Sequence, residues 1–279
     1  MKTCDLHTHS YFSDGTLTPE ELIALAVKKG LSAIALCDHN TVDGLKSFSK
    51  AAQNKNISAV LGAEFSVDYC GKELHLLGLF IPLCACEKVT NLMTDIIKQK
   101  EESYKDLINT LNVNGYKVDF EKIKNSTPNG KFNRAHIAAE LLKGGYVKSV
   151  KEAFETLLSA DYGYYKEPER LDVFFMLDFL TKLNAVPVLA HPFINLSEQE
   201  LAEFLPKAKK AGLVGIECYY SLHTAEQTEK AKALADTFGL KYSGGSDFHG
   251  EIKPDISLGT GKGNLKIPYS VAEKLNPNI

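Results

Sequence analysis

A chain of 279 residues, 44% apolar and 24% charged, can bury a sizeable core as one domain or as a domain with an insertion. Its formal net charge of −3 gives no basic field for duplex nucleic acid, and no apolar run approaches the ~18 residues of a membrane span. Six cysteines without a C-x-x-C pair argue against a disulfide framework, and the first residues do not read as a signal peptide, so a cytoplasmic location is expected.

The first apolar run starts near Thr3 and leads into Asp5-Leu6-His7-Thr8-His9. His7 and His9 are two apart, so in a strand both imidazoles leave the same face. Thr18-Pro19-Glu20-Glu21 combines a capping hydroxyl, a proline at the first helical position and an acid at the third, and Gly30 ends the helix that starts there. Residues 32–37 form a buried strand closed by Asp38-His39. A helix through Leu45, Phe48, Ala51 and Ala52 leads to a strand at 58–62, which Glu64 closes. Cys70-Gly71-Lys72 reads as a turn before a fourth strand at 73–81, which carries His75.

From about 87 to 183 the pattern is almost wholly helical. A long amphipathic stretch through Leu92, Ile96, Tyr104, Leu107 and Leu111 is followed by shorter helices around 137–142, 153–158 and 173–183, with a loop at 125–130. Strand–helix alternation then resumes with strands at 186–190, 213–218 and 240–244. Capping boxes at Ser197-x-x-Glu200 and Thr224-x-x-Gln227 open the intervening helices. His191 follows the fifth strand and Asp247-Phe248-His249 the last.

Seven strands with a helical insertion are therefore expected, as a barrel or an open parallel sheet. An open sheet concentrates function at one switch point, whereas a barrel gathers residues from many strand ends. Ligand-type residues stand at almost every strand end here, which favours a barrel built from 1–82 and 186–279, with 83–185 inserted. Taken singly, His75 could be an ordinary strand histidine, and Asp14 in Ser13-Asp14-Gly15 an ordinary turn residue. Together His7, His9, Asp14, His39, Glu64, His75, His191, Asp247 and His249 point to a metal cluster, with Asp38 expected to orient a ligand histidine. The chain has no evident serine or cysteine nucleophile with a base, and no GxxxxGK[ST] loop.

The segments Asp5-Leu6-His7-x-His9-Ser10, Ser13-Asp14-Gly15, Asp38-His39-Asn40-Thr41, Gly62-x-Glu64, His75-Leu76-Leu77-Gly78, Ala190-His191-Pro192 and Gly245-Ser246-Asp247-Phe248-His249 resemble, in order, the polymerase-and-histidinol-phosphatase (PHP) superfamily. The insertion with Arg134-Ala135-His136 is similar to its stand-alone bacterial phosphoesterases, linked to nucleotide 3′-phosphate hydrolysis and to trimming of short 5′-phosphorylated RNA. That family usually has Arg-Pro-His where Ala135 stands. The resemblance implies a distorted (β/α)7 TIM-like barrel. It also implies a first metal on His7, His9, Glu64 and Asp247, a second on Glu64, His75 and His191, and a third on Asp14, His39 and His249. Nitrogen and carboxylate donors suit two or three Mn²⁺, Fe²⁺ or Zn²⁺ ions.

Arg134 and His136 are expected to grip a phosphate at a helix start, and His223 to contact it or protonate the leaving oxygen. Tyr162, Tyr164 and Tyr165 offer rings on which a base could stack. The expected activity is hydrolysis of a nucleotide phosphate ester, or of short single-stranded RNA, by a hydroxide held between metals. Histidinol-phosphate hydrolysis, an amidohydrolase activity and a non-catalytic metal-binding module are the alternatives. Nothing in the sequence speaks to oligomeric state.

Overall fold

The protein was analysed as a computed structural model that describes residues 2–127 and 132–276. It is a mixed α/β fold with two sheets. Strands β1 (Cys4–Asp5), β2 (Ala33–Leu36) and β3 (Ser58–Leu61) form a parallel sheet in that order, connected by α1 (Pro19–Lys28) and α2 (Leu45–Ala52). The second sheet contains β4 (Ala63–Tyr69), β5 (Lys72–Leu79), β6 (Leu171–Asp172), β7 (Val186–Leu189), β8 (Gly215–Tyr220) and β9 (Lys241–Gly245), in the order β6-β4-β5-β7-β8-β9.

The described residues thus hold nine strands where seven were expected. Residues 63–69, expected only to close the third strand, form a strand of their own, and a two-residue edge strand precedes α7 (Val173–Lys182). β4 pairs antiparallel with β5 across Cys70 and Gly71, both at positive φ as a two-residue hairpin loop requires. Phe65 and Val67 alternate with Glu64 and Ser66, so all four are buried, one pair in apolar core and the other toward the polar cluster.

Backbone hydrogen bonds bridge the two sheets at both edges. On one side Leu6 N–H donates to Gly244 O (3.1 Å) and Asp247 N–H to His7 O (2.8 Å); on the other Glu64 N–H donates to Asp38 O (3.1 Å) and Ile81 N–H to Leu61 O (2.8 Å). The first seam needs a glycine. A Cβ on Gly245 would lie 2.2 Å from His7 Cβ and 2.4 Å from its backbone nitrogen. Gly245→Ala is therefore expected to destabilise the fold by about 1–3 kcal/mol through overpacking against backbone. An unchanged urea midpoint would contradict this close approach.

The capping boxes at Thr18, Ser197 and Thr224 all form, opening α1, α8 (Glu198–Lys210) and α9 (Ala225–Phe238). Gly30, at φ 73, takes the left-handed position just past α1. The helical segment contains α3 (Cys86–Val113), α4 (Phe120–Ser126), α5 (Arg134–Lys143), α6 (Val150–Glu155) and α7; α10 (Ser270–Leu275) closes the chain. Asn125 and Ser126 belong to α4 rather than to the expected loop, whose Pro128–Gly130 part lies outside the described residues. An apolar cluster running from Tyr104 to Tyr165 is separate from the main core. Val89 and Met93 of α3, and Val173, Met176, Leu177 and Leu180 of α7, pack into the main core instead. All six cysteines are free, and among the described residues no helix is long and apolar enough to cross a membrane.

Candidate metal centre

The nine ligand-type residues converge at one end of the strands. Glu64 sits at their centre and divides its oxygens. Oε1 lies 2.9 Å from His75 Nδ1 and 3.0 Å from His191 Nε2, while Oε2 lies 3.4 Å from both His7 Nε2 and His9 Nε2 and 3.1 Å from His39 Nδ1. Asp247 Oδ1 is 3.7 Å from His7 Nε2 and 3.3 Å from His9 Nε2. Asp14 faces a third set, with Oδ1 3.3 Å from His249 Nε2 and Oδ2 3.7 Å from His39 Nε2. His9 and His39 also stand between sets, since His9 Nδ1 lies 3.6 Å from Asp14 and His39 faces Glu64 as well.

Local backbone strain aims these side chains. Asn40, His191 and Asp247 all adopt positive φ (54°, 26° and 56°), a conformation non-glycine residues avoid and which concentrates at functional sites. The sequence reaches it where a strand must stop and turn its last side chain inward.

Several ring nitrogens are fixed by partners on the far side. His7 Nδ1 faces Glu217 Oε1 at 3.1 Å, and the other Glu217 oxygen accepts the His191 backbone N–H at 2.8 Å. His249 Nδ1 lies 2.8 Å from Asp247 O, a carbonyl that only accepts, so Nδ1 donates there. Burial would lower the ring's pKa, but Asp14 beside Nε2 outweighs it and raises it, so a cation at Nε2 must displace a proton. The carboxylates are steadied likewise: Asn133 Nδ2 donates to Asp14 Oδ2 (2.7 Å), and Lys253 Nζ and Tyr220 Oη donate to Asp247 Oδ2 (2.7 and 3.1 Å).

The donor set fits divalent cations on the evidence of its orphaned atoms. His7 Nε2, His9 Nδ1 and His9 Nε2 are buried without a hydrogen-bond partner, and such atoms are costly unless something else binds them. Burial, reinforced by the neighbouring His249 and His39, lowers His9 to about 3, and burial lowers His39 to about 4, so both rings keep free lone pairs. Burial alone would lower His75 too, but Glu64 and Glu73 outweigh it and hold the ring up at about 10, so a cation there must displace a proton.

Asp38 does not orient a histidine among the described residues. Its carboxylate accepts from Ser10 N–H (2.8 Å), Ser10 Oγ (2.6 Å) and Ser13 Oγ (2.7 Å), bracing the loop that presents Asp14. Burial pushes its pKa up to about 6 against those bonds. Arg134 is the first residue of α5; it lies over the Tyr165 ring at 4.4 Å, donates to Leu158 O (3.3 Å) and stands 3.8 Å from Glu73. Glu73 in turn lies 3.4 Å from His75 Nε2 and 3.1 Å from Arg170, linking the arginines to the cluster.

His136 Nδ1 is held between the Asn133 backbone N (3.2 Å) and its Oδ1 (2.9 Å), closing a capping box. His223 is buried; its Nδ1 faces Cys218 O at 3.2 Å, its Nε2 has no partner, and burial lowers its pKa. Tyr165 is covered by Arg134, and Tyr162 packs edge-on against Tyr164, so these three rings do not make an open stacking platform.

Sequence reasoning missed Glu217, Asn133, Lys253 and the role of Asp5, which accepts from Ser246 and Gly259 N–H groups at 2.8 and 2.7 Å. Asp5 and Glu217 had a usable signal, each being a lone acid inside an apolar strand. Glu217→Gln is expected to weaken metal binding about 10–100-fold, because outer partners of ligand histidines carry effects of that size. A chelator competition titration that finds equal affinity would remove Glu217 from this role.

The PHP domain model matches residues 5–168, more than half of the chain; His191, His223, Asp247 and His249 lie beyond the match. A 5′-3′ exoribonuclease from Haemophilus influenzae is 28% identical over 249 residues, covering 89% of this chain and 90% of the relative. A 3′,5′-nucleoside bisphosphate phosphatase from Chromobacterium violaceum is 28% identical over 251 residues, covering 89% and 88%. The solved structure of a Chromobacterium violaceum protein described as an amidohydrolase, with sulfate and no metal, superposes with a TM-score of 0.88 at 26% identity over 99% of this chain and 96% of that one. The chain belongs to the PHP domain family.

Proposed function

We propose that this chain is a metal-dependent phosphoesterase acting on nucleotide phosphate esters: mononucleotides, 3′,5′-bisphosphates or short 5′-phosphorylated RNA. The observation that carries the reading is the split of Glu64, one oxygen toward His75 and His191 and the other toward His7, His9 and His39. A carboxylate so placed is suited to be shared between cations. We assign His7, His9, Glu64 and Asp247 to a first ion, Glu64, His75 and His191 to a second, and Asp14, His39 and His249 to a third; Mn²⁺, Fe²⁺ and Zn²⁺ match the donors. Bound divalent cations supply a nucleophile at neutral pH and offset charge on the phosphoryl oxygens.

The chain's own groups complete the chemistry. Arg134, half-buried at a helix start, offers a guanidinium whose loose 3.8 Å contact with Glu73 can be exchanged for a phosphate oxygen. His136 lies two residues further along the same helix. His223, neutral in the free protein, is an acceptor at Nε2 until a phosphate dianion raises its proton affinity, after which it can carry a proton toward the leaving oxygen. The seven expected strands fit a distorted (β/α)7 TIM-like barrel in 1–82 and 186–279, with β4 added, and 83–185, which carries the edge strand β6, as an insertion contributing to substrate binding.

Both curated relatives are named for nucleotide or RNA substrates, which supports this reading over histidinol phosphate. Against an amidohydrolase, Lys253 donates to Asp247 alone instead of bridging ligands from a mid-sheet strand. The test is a Mn²⁺-supplemented screen of mononucleotides, 3′,5′-bisphosphates, short 5′-phosphorylated RNA, histidinol phosphate and amides. Turnover confined to histidinol phosphate or amides overturns the proposal, and purified protein with neither metal nor phosphatase activity favours a binding module.

A further inference from the structure

We propose that the cavity beside His39, walled by the strand ends, by α3 and Lys124 of α4, and by Phe132 and Asn133 just before α5, is the subsite for the heteroaromatic base of the substrate; this rests on the nucleotide reading above. The cavity measures about 260 Å³. Small-molecule sites run from roughly 300 to 1,000 Å³, so this one suits a single ring system and not a stack of bases. Phe12, Tyr104 and Phe132 line it, with Lys100, His39 and Asn133. The last two also belong to the polar centre: His39 faces Glu64 at 3.1 Å and Asn133 donates to Asp14 at 2.7 Å. A phosphoryl group held at that centre therefore has the cavity as its immediate neighbour, in reach of whatever its ester oxygen carries.

Tyr104 gives the cavity its chemistry. The residue is 2% exposed and lines the cavity, where the polar edge of a ligand could give its hydroxyl a hydrogen bond. Lys100 is half-buried, makes no ion pair among the described residues and lines both this cavity and the smaller one around Arg134 and Glu73. Lys124, by contrast, is already paired with Glu101 at 2.9 Å. Phe132 and Tyr104 stand with centroids 5.7 Å apart, offering apolar faces. An aliphatic alcohol would use those faces but offer no polar edge to Tyr104 Oη and Lys100 Nζ; a base has both a flat face and a polar edge.

The test compares kcat/KM on adenosine 3′-phosphate with kcat/KM on glycerol 2-phosphate, a monoester with no ring, in the full chain with Mn²⁺. Adenosine binding to the metal-free protein is followed in parallel by calorimetry. Tyr104→Phe is expected to lower the ratio roughly tenfold, the size of one buried hydrogen bond. Phe132→Leu should lower the ratio too, with an unchanged thermal midpoint showing that the fold survives, and both variants should weaken adenosine binding. A wild-type ratio near one, or a ratio and adenosine affinity that neither variant moves, overturns the base subsite while leaving the phosphoesterase reading intact. No turnover of either ester together with no adenosine binding overturns the subsite, while the phosphoesterase reading is then decided by the wider substrate screen.

Discussion

Glu64→Gln is expected to lower kcat/KM by about 10³-fold or more, the scale of losing several kcal/mol of cation-supplied stabilisation. Gln keeps the volume and the β4 backbone bonds, but replaces one oxygen with an N–H₂ group that only donates. That donor would face either the His75–His191 pair or the His7–His9–His39 set, and in both directions it blocks a position a cation would occupy. Burial pushes the Glu64 pKa up, yet His75, His7 and His39 outweigh it and hold the carboxylate well below its ordinary range, so it is ionised at every pH at which the protein would be assayed. The substitution therefore removes a full charge. The decisive measurement pairs kcat/KM with bound-metal stoichiometry. A variant that retains both within tenfold of the parent would show that no cation depends on Glu64.

The ligand pattern was legible because most ligands end an apolar run, and a strand end is visible locally; Asp14 in a turn and His75 within a strand are the exceptions. His7 with His9, and Asp247 with His249, carry the period-two spacing that places side chains on one face. Strand direction is not local in that way. Residues 63–69 turn back along 72–79 through Cys70-Gly71, and the pattern of 58–69 reads equally well as one strand with a polar end. Outer partners were hidden for a related reason. Glu217 and Asp5 each break an apolar run once, and only the assembled sheets show that Glu217 serves His7 and His191 together, from 210 and 26 residues away. Asp38 was expected to hold a histidine because it precedes one; the chain instead uses it to accept from Ser10 and Ser13, a contact between separate loops. Tyr165 looked like an open ring because its cover, Arg134, lies 31 positions earlier, at the start of α5, while Tyr165 itself is in a loop.

Arg134 separates a phosphate clamp from a structural arginine. Arg134→Ala is expected to lower kcat/KM about 10²–10³-fold, as for loss of one preorganised charged donor facing a transition state. The side chain also has a packing role, lying over Tyr165 at 4.4 Å and Phe154 at 5.5 Å and donating to Leu158 O, so some loss of thermal midpoint accompanies the change. Arg134→Lys resolves the two effects. Lysine keeps the charge and much of the aliphatic stem but cannot present two parallel N–H donors or stack a plane on Tyr165. A clamp predicts that Lys restores the thermal midpoint more fully than it restores kcat/KM. Glu73→Gln adds a second arm: freeing Arg134 and Arg170 of their shared carboxylate should strengthen inhibition by inorganic phosphate in the parent background and have little effect once Arg134 is Ala. Turnover unchanged in Arg134→Ala would remove this residue from the chemistry and leave it as the pin between α5 and the aromatic core beneath it.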